Sequence, residues 1–177
     1  PSSPSPDPSA SDGTRWQVGG ALSSRLFFAG PTGAVGARAH AGVEWFRAGL
    51  SGEAGVVGDD LGQVTYTLLA AEAEAELLHH DFGGRWDPRL GFRLQLAIGW
   101  AHLAGSTGRA DVIDATADAL VLGGEARAVL RVPLLEELGL VLTLGLGASS
   151  GPTANADGRP VVVFDGFYGR FGLGLAR

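Results

Sequence analysis

Residues 138–150 read Leu-Gly-Leu-Val-Leu-Thr-Leu-Gly-Leu-Gly-Ala-Ser-Ser, and the side chains along this stretch alternate with a period of two. The even positions from Leu138 to Ala148 are apolar, whereas the odd positions are mostly small or polar. Because successive side chains of a β-strand point to opposite faces, this pattern predicts a strand with one apolar face. Seven further stretches of the chain show the same alternation, and this repetition decides the fold.

The alternating stretches are long and are separated by turn-forming residues. The predicted strands cover residues 14–29, 34–45, 47–57, 63–79, 91–105, 115–132, 138–150 and 161–176. Strands of this length cross the hydrocarbon layer of a membrane when they are tilted. The prediction is therefore an all-β fold, an eight-stranded antiparallel up-and-down transmembrane β-barrel over 14–177. Residues 1–13 are rich in proline and serine and are expected to form a disordered tail.

The sequence of segment 63–79 is compatible with either a helix or a strand. It contains Leu-Leu-Ala-Ala-Glu-Ala-Glu-Ala-Glu-Leu-Leu, which is rich in strong helix formers. In a helix, Glu72 and Glu76 would form an unfavourable like-charged pair, and the apolar residues would not gather on one face. In a strand, Glu72, Glu74 and Glu76 share one face and the alanines share the other. The interpretation chosen here is a strand.

Composition excludes several classes of function. The chain has 177 residues, 29 of them glycine, with no cysteine and a formal net charge of −6. The absence of cysteine removes disulfides and thiolate chemistry, and the negative charge argues against binding of nucleic acid. We expect no cofactor and no metal site, because His79, His80 and Asp81 are adjacent and Asp59-Asp60 lacks further carboxylates at the spacing of a calcium loop.

Charged residues in the middle of the strands fall on the polar face, six arginines and six glutamates. A small membrane barrel fills its interior with side chains, and buried charges there must pair. The sequence therefore predicts an interior polar network that closes the barrel to diffusion. The predicted members are Arg25, Arg38, His40, Glu44, Glu53, Glu72, Glu74, Glu76, Arg93, Glu125, Arg127, Arg131 and Arg170.

Aromatic residues cluster toward the two ends of the strands, as expected at the two interfaces of a membrane. The predicted interface residues are Trp16, Phe28, Trp45, Phe92, Trp100, Phe167 and Phe171. The positions of Phe27, Phe164 and Trp86 in the sequence place them in the same two bands. We expect these residues to contact the lipids of the membrane.

This pattern, together with the closing stretch Phe-Tyr-Gly-Arg-Phe-Gly-Leu-Gly-Leu, resembles the small eight-stranded outer-membrane barrels of Gram-negative bacteria, the class of the OmpA transmembrane domain and OmpX. The resemblance implies a location in the bacterial outer membrane. It also implies a structural, adhesive or surface-interaction role, with a surface or periplasmic protein as a possible partner. The turns at 30–33, 58–62, 106–114 and 151–160 would face outward.

Two alternative functions remain open at this stage. A soluble lipocalin-like barrel would use the same strands with the apolar face turned inward around a small hydrophobic ligand. A lipid-modifying outer-membrane enzyme would need a histidine beside a serine. His102 lies on the apolar face near the outer end, but its neighbour on that face is Ala104.

Overall fold

The structure, a computed structural model, describes residues 16–28, 33–59, 62–84, 87–106, 115–135, 137–156 and 159–177. The tail 1–13, Trp86 and all of the predicted loop 106–114 except Ser106 therefore lie outside the described residues. No helix in the described ranges is long and apolar enough to cross a membrane.

The described residues form ten strands, eight of which make one closed antiparallel barrel in the order β1-β10-β7-β6-β5-β4-β3-β2. β8 and β9 form a separate two-stranded hairpin. The prediction of an eight-stranded up-and-down barrel is confirmed, and so is the strand at 63–79. The strands are β1 (Gln17–Phe27), β2 (Gly33–Gly42), β3 (Phe46–Asp59), β4 (Gly62–Asp81), β5 (Arg89–Ser106), β6 (Ala115–Pro133), β7 (Gly139–Ser150), β8 (Thr153–Ala156), β9 (Arg159–Val163) and β10 (Gly166–Ala176).

The last outward connection differs from the prediction. The sequence indicates a plain loop over 151–160 and a final barrel strand from 161, whereas β8 and β9 occupy most of this segment and β10 begins at Gly166. Residues 161–163 are three valines, which favour extended backbone, and Asp157-Gly158 is a dipeptide typical of hairpin turns. These residues therefore form a separate hairpin, and the last barrel strand, β10, begins after it.

The two faces of the barrel wall carry opposite chemistry. Leu144 and Leu146 on β7 are 65% and 66% exposed on the outer surface, while Arg127 and Arg170 are 2% exposed inside. A soluble carrier needs the apolar face inside, so this arrangement contradicts the lipocalin-like alternative. A closed barrel also satisfies every ladder hydrogen bond without leaving an edge, which is what hydrocarbon requires of a spanning structure.

The ends of the barrel differ in height around its circumference. β5 pairs with β6 up to Ala115, whereas the pairing of β6 with β7 begins only at Leu122 and Ser150. β5 and β6 therefore extend beyond β7 at the end that carries the β8–β9 hairpin. We call this end the outer mouth, and the end at which β1 begins and β10 finishes the inner mouth.

The barrel interior and its two mouths as the candidate functional site

Glu74 on β4 is the centre of the interior charge network. Its carboxylate accepts hydrogen bonds from four arginines on different strands: Arg38 at 3.4 Å, Arg47 at 3.3 Å, Arg93 at 3.0 Å and Arg127 at 2.8 Å. Because four guanidinium groups bind one carboxylate, β2, β3, β5 and β6 are joined to β4 through the lumen. A charge-assisted network of this kind is strong where water is excluded, provided that its members find partners.

Arg127 links this centre to a second set of charges nearer the outer mouth. Its Nε donates to Glu125 Oε1 at 2.8 Å, and a terminal nitrogen donates to the Gln95 side chain. The Glu53 carboxylate forms an ion pair with Arg25 at 3.0 Å and accepts a hydrogen bond from Arg170. The two contacts of Glu53 cross the lumen, because they join β3 to β1 and β10, which are not its neighbours in the sheet.

The outer mouth is closed by aromatic side chains. Phe27, Tyr66, Phe164 and Tyr168 pack inside the barrel above the charges, with Phe164 5.8 Å from Phe27 and 5.1 Å from Tyr66 between ring centroids. Phe164 enters from the segment between β9 and β10, and its carbonyl accepts a 2.7 Å hydrogen bond from Ser149. We call this cluster of four rings the aromatic cap.

Glycines on the inner face make room for the cap. A Cβ atom at Gly147 would clash with the ring of Tyr168, and one at Gly55 would clash with the ring of Tyr66. Each tyrosine ring therefore occupies the space that a side chain at the facing glycine would fill. The small residues on the polar face of the strands thus have a steric function, which their alternation alone does not reveal.

The inner mouth is a polar recess of about 580 Å³. Arg89 bridges it, with hydrogen bonds to Glu44 at 2.5 Å and to Glu76 at 3.1 Å. The hydrogen bond from Arg89 lowers the pKa of Glu44 below its usual value. Because Glu44 lies in the turn between β2 and β3, this ion pair is outside the spanning strands.

Most of the predicted network residues lie inside the barrel, and two lie at the inner mouth. Arg131 is half-buried and lines the recess. Glu44 differs from its predicted interior position, since its side chain is 56% exposed. Alternation along β2 ends at Gly42, where the turn begins, so the face of residue 44 is no longer set by the strand. The residues inside are Arg25, Arg38, His40, Glu53, Glu72, Glu74, Glu76, Arg93, Glu125, Arg127 and Arg170.

Two network residues are missing from the predicted set. Arg47, 5% exposed, bonds Glu74 and also donates to Gln17 at 2.5 Å, and Gln95, 3% exposed, accepts from Arg38 and Arg127. Arg47 shares the face of Ser51 and Glu53, and Gln95 shares the face of Arg93. The alternation that selects the others is therefore sufficient to include both.

The aromatic residues divide between the outer surface and the lumen. Phe27 and Phe164, predicted to lie in the interface bands, are buried inside at 2% and 1% exposure because they have the parity of the inner face or reach it from a loop. Phe171 is on the outer surface at the midpoint of β10, away from either end. Trp100 is exposed in the interior of β5. The others are exposed at or near strand ends: Trp16, Phe28, Trp45, Phe92 and Phe167.

The histidines considered in the sequence have different surroundings. His79 and His80 are exposed near the inner mouth, and the described residues hold no group of three or more metal-ligating acidic or histidine side chains. His102 is on the outer surface, hydrogen-bonded to Asp118 at 2.7 Å.

The chain is similar to solved structures of bacterial outer-membrane proteins. It matches a major outer membrane protein from Thermus thermophilus over 90% of its own length and 98% of that chain, with a TM-score of 0.52 at 12% identity. It matches Neisserial surface protein A over 91% and 94% of the two chains, with a TM-score of 0.50 at 13% identity. The N-terminal β-barrel domain of Pseudomonas aeruginosa OprF matches over 91% and 97%, with a TM-score of 0.47 at 14% identity. No protein-family model and no curated protein matches the chain.

The closed eight-stranded sheet, the apolar outer surface and the charged lumen define a small transmembrane β-barrel. The first two of these solved structures share its fold. The chain therefore has the fold of a small eight-stranded outer-membrane β-barrel.

Proposed function

We propose that this barrel is a non-conducting structural protein of the outer membrane, whose interior network and aromatic cap form a permanent plug. The observation that carries the proposal is the set of bonds to Glu74, which joins four strands across the lumen. An eight-stranded barrel has an interior just wide enough for side chains to fill. With charges at the centre and rings at the outer mouth, the lumen offers solutes no continuous passage.

Conductance across a planar lipid bilayer tests the plug. The wild-type protein is expected to insert without producing discrete current steps. A variant that lacks both barriers, with Glu74, Arg127, Phe27 and Phe164 all changed to alanine, is the matched comparison, and it is expected to conduct. Regular current steps from folded wild-type protein would contradict the proposal.

We further propose that the outward connections are the surface through which the protein meets a partner protein, while membrane lipids cover the outer wall. The support is charge: these connections carry five aspartates, Asp59, Asp60, Asp111, Asp114 and Asp157, against two arginines, Arg109 and Arg159, so they favour a basic partner surface. An epitope inserted between β8 and β9 should be labelled by antibody on intact cells. Labelling only after the outer membrane is permeabilised would reverse the orientation.

A further inference from the structure

Three outward-facing side chains from adjacent strands lie in one row near the outer mouth. Thr67 on β4 is directly opposite His102 on β5, and His102 is directly opposite Asp118 on β6. All three are exposed on the outer wall of the barrel. Directly opposite residues on one face of a sheet have Cβ atoms about 4.5–5.5 Å apart, so Thr67 and Asp118 each lie within reach of the His102 ring from opposite sides.

The imidazole of His102 is held by a carboxylate. His102 Nδ1 is 2.7 Å from Asp118 Oδ1, and the same oxygen accepts a hydrogen bond from Trp100 Nε1 at 3.3 Å. In the neutral imidazole, an Nδ1–H that donates to a carboxylate leaves Nε2 without a proton and able to act as a base. Two donors on Oδ1 fix the carboxylate, and the carboxylate in turn fixes the ring.

An apolar groove leads to this row. Its volume is about 770 Å³. On the outer wall it runs from Phe171 and Leu173 on β10, across Val35 on β2, and reaches Thr67 and Leu69 on β4. Small side chains such as Ala54 form its floor. The groove ends at Thr67, the residue beside His102, so a chain lying in it would bring its polar end to the imidazole.

The row lies near the outer mouth, at the end where the barrel wall would meet the polar border of the membrane. β5 and β6 extend beyond β7 at this end, and Asp118 lies in the part of β6 that precedes its pairing with β7. Trp100 lies two residues from His102 on the same outer face of β5, toward the inner mouth. Ester groups of lipids lie at this same border between hydrocarbon and headgroups.

We propose that Thr67, His102 and Asp118 form a lipid-ester hydrolase site on the outer wall of the barrel, with the acyl chain of a glycerophospholipid lying in the apolar groove. This activity goes beyond the structural role proposed above and uses none of the interior residues. His102 Nε2 takes a proton from water while the water oxygen attacks the ester carbonyl carbon. The bond from that carbon to the glycerol oxygen then breaks, and His102 returns the proton to the glycerol oxygen. The products are a fatty acid and a lysophospholipid.

The remaining two residues have supporting roles in this reaction. The Thr67 hydroxyl donates to the carbonyl oxygen as negative charge develops there. Asp118 is a positioning residue that holds the histidine tautomer. The exposed carboxylate also makes the site anionic, which favours a headgroup with an ammonium group, as in phosphatidylethanolamine, over a polyphosphorylated glycolipid.

Release of fatty acid from phosphatidylethanolamine vesicles containing the refolded protein tests this site. Wild-type protein should release fatty acid, and His102→Ala should lower the rate at least about 100-fold, the usual contribution of a general base. Asp118→Asn should lower kcat, and Asp118→Glu should restore part of it. Thr67→Val should lower kcat with little change in KM. Thr65→Val is the matched control, because Thr65 has the same face and strand but no part in the row.

The groove has its own pair of variants. Ala54→Trp fills the groove floor and should raise KM, whereas Ala148→Trp, on the outer wall at β7, should not. Each variant is first shown to be folded by its faster migration on an unboiled gel. Equal rates for wild type and His102→Ala would overturn the proposal. Release from purified lipopolysaccharide but not from phosphatidylethanolamine would overturn the assignment of the headgroup.

Discussion

At the scale of single residues, Glu74 is the group whose charge most of the interior depends on. Replacing it with glutamine removes one negative charge that faces four buried guanidinium groups. Loss of one partner from a buried ion pair costs about 3–5 kcal/mol, because the remaining charge stays buried without compensation. We expect Glu74→Gln to lower the free energy of unfolding by about that amount, measured by urea denaturation in detergent micelles.

The matched control for this prediction is Glu44→Gln at the inner mouth. Glu44 makes one hydrogen bond with Arg89 and its side chain is 56% exposed. Exposed ion pairs contribute about 0–1 kcal/mol, so this variant should unfold within that margin of the wild type. If the two variants lost the same free energy of unfolding, the contacts of Glu74 with four arginines would contribute no more to stability than the single exposed ion pair of Glu44.

The ion pair of Glu44 and Arg89 also gives a prediction about pH. The hydrogen bond from Arg89 lowers the pKa of Glu44, so the folded protein holds this carboxyl ionised at a pH where the unfolded chain protonates it. The stabilisation is therefore complete above the pKa of the unfolded state and is lost as pH falls through the lower pKa of the folded state. Titration followed by NMR should show the Glu44 pKa rising toward its usual value in Arg89→Gln. An unchanged midpoint would refute the role of Arg89.

At the scale of the strand, the facing of β7 sets the cost of a charge. Leu144 is exposed on the outer wall near the middle of β7, so an arginine there would sit in hydrocarbon. We expect Leu144→Arg to destabilise the barrel by about 2–4 kcal/mol in lipid vesicles, as for other charges near the bilayer midplane.

A second arginine variant tests how the cost of a charge depends on its depth in the membrane. Val18 also faces outward, but it lies one residue from the start of β1. Val18→Arg should cost only about 0–1 kcal/mol, the range found near the interface. If Leu144→Arg proved as mild as Val18→Arg, the outer wall at β7 would not be in contact with hydrocarbon.

Among the described side chains of the segment between β7 and β10, Phe164 lies in the core. Phe164 is 1% exposed between Phe27 and Tyr66. Phe164→Ala leaves a cavity in the aromatic cap and should lower stability by about 3–5 kcal/mol in thermal unfolding. Phe28→Ala, which removes a ring on the outer wall, is the control and should cost much less. A small effect at Phe164 would show that the hairpin segment rests on the barrel without anchoring it.

At the scale of the whole molecule, the period-two pattern is enough to predict the eight barrel strands and their antiparallel order, but not the β8–β9 hairpin. It is also enough to assign Arg127 to the polar face. Which carboxylate Arg127 meets cannot be predicted, because its partner Glu74 is 53 positions away and depends on how the closed sheet is staggered. The prediction for Phe164 is wrong for a related reason: it lies between strands, where alternation carries no information about direction.

The closing seam of the barrel joins β1 to β10, the strands farthest apart along the chain. Val18 and Arg177 exchange backbone hydrogen bonds of 3.0 and 2.8 Å, and the ladder continues from Gly19–Ala176 to Phe27–Tyr168. Contacts of such large sequence separation form late and make folding slow. Until β10 arrives, β1 and β7 each present an unpaired edge that can join another chain. The polypeptide thus needs protection from aggregation until it has folded in the membrane. Pairing of β1 with β10 removes the last unpaired edges.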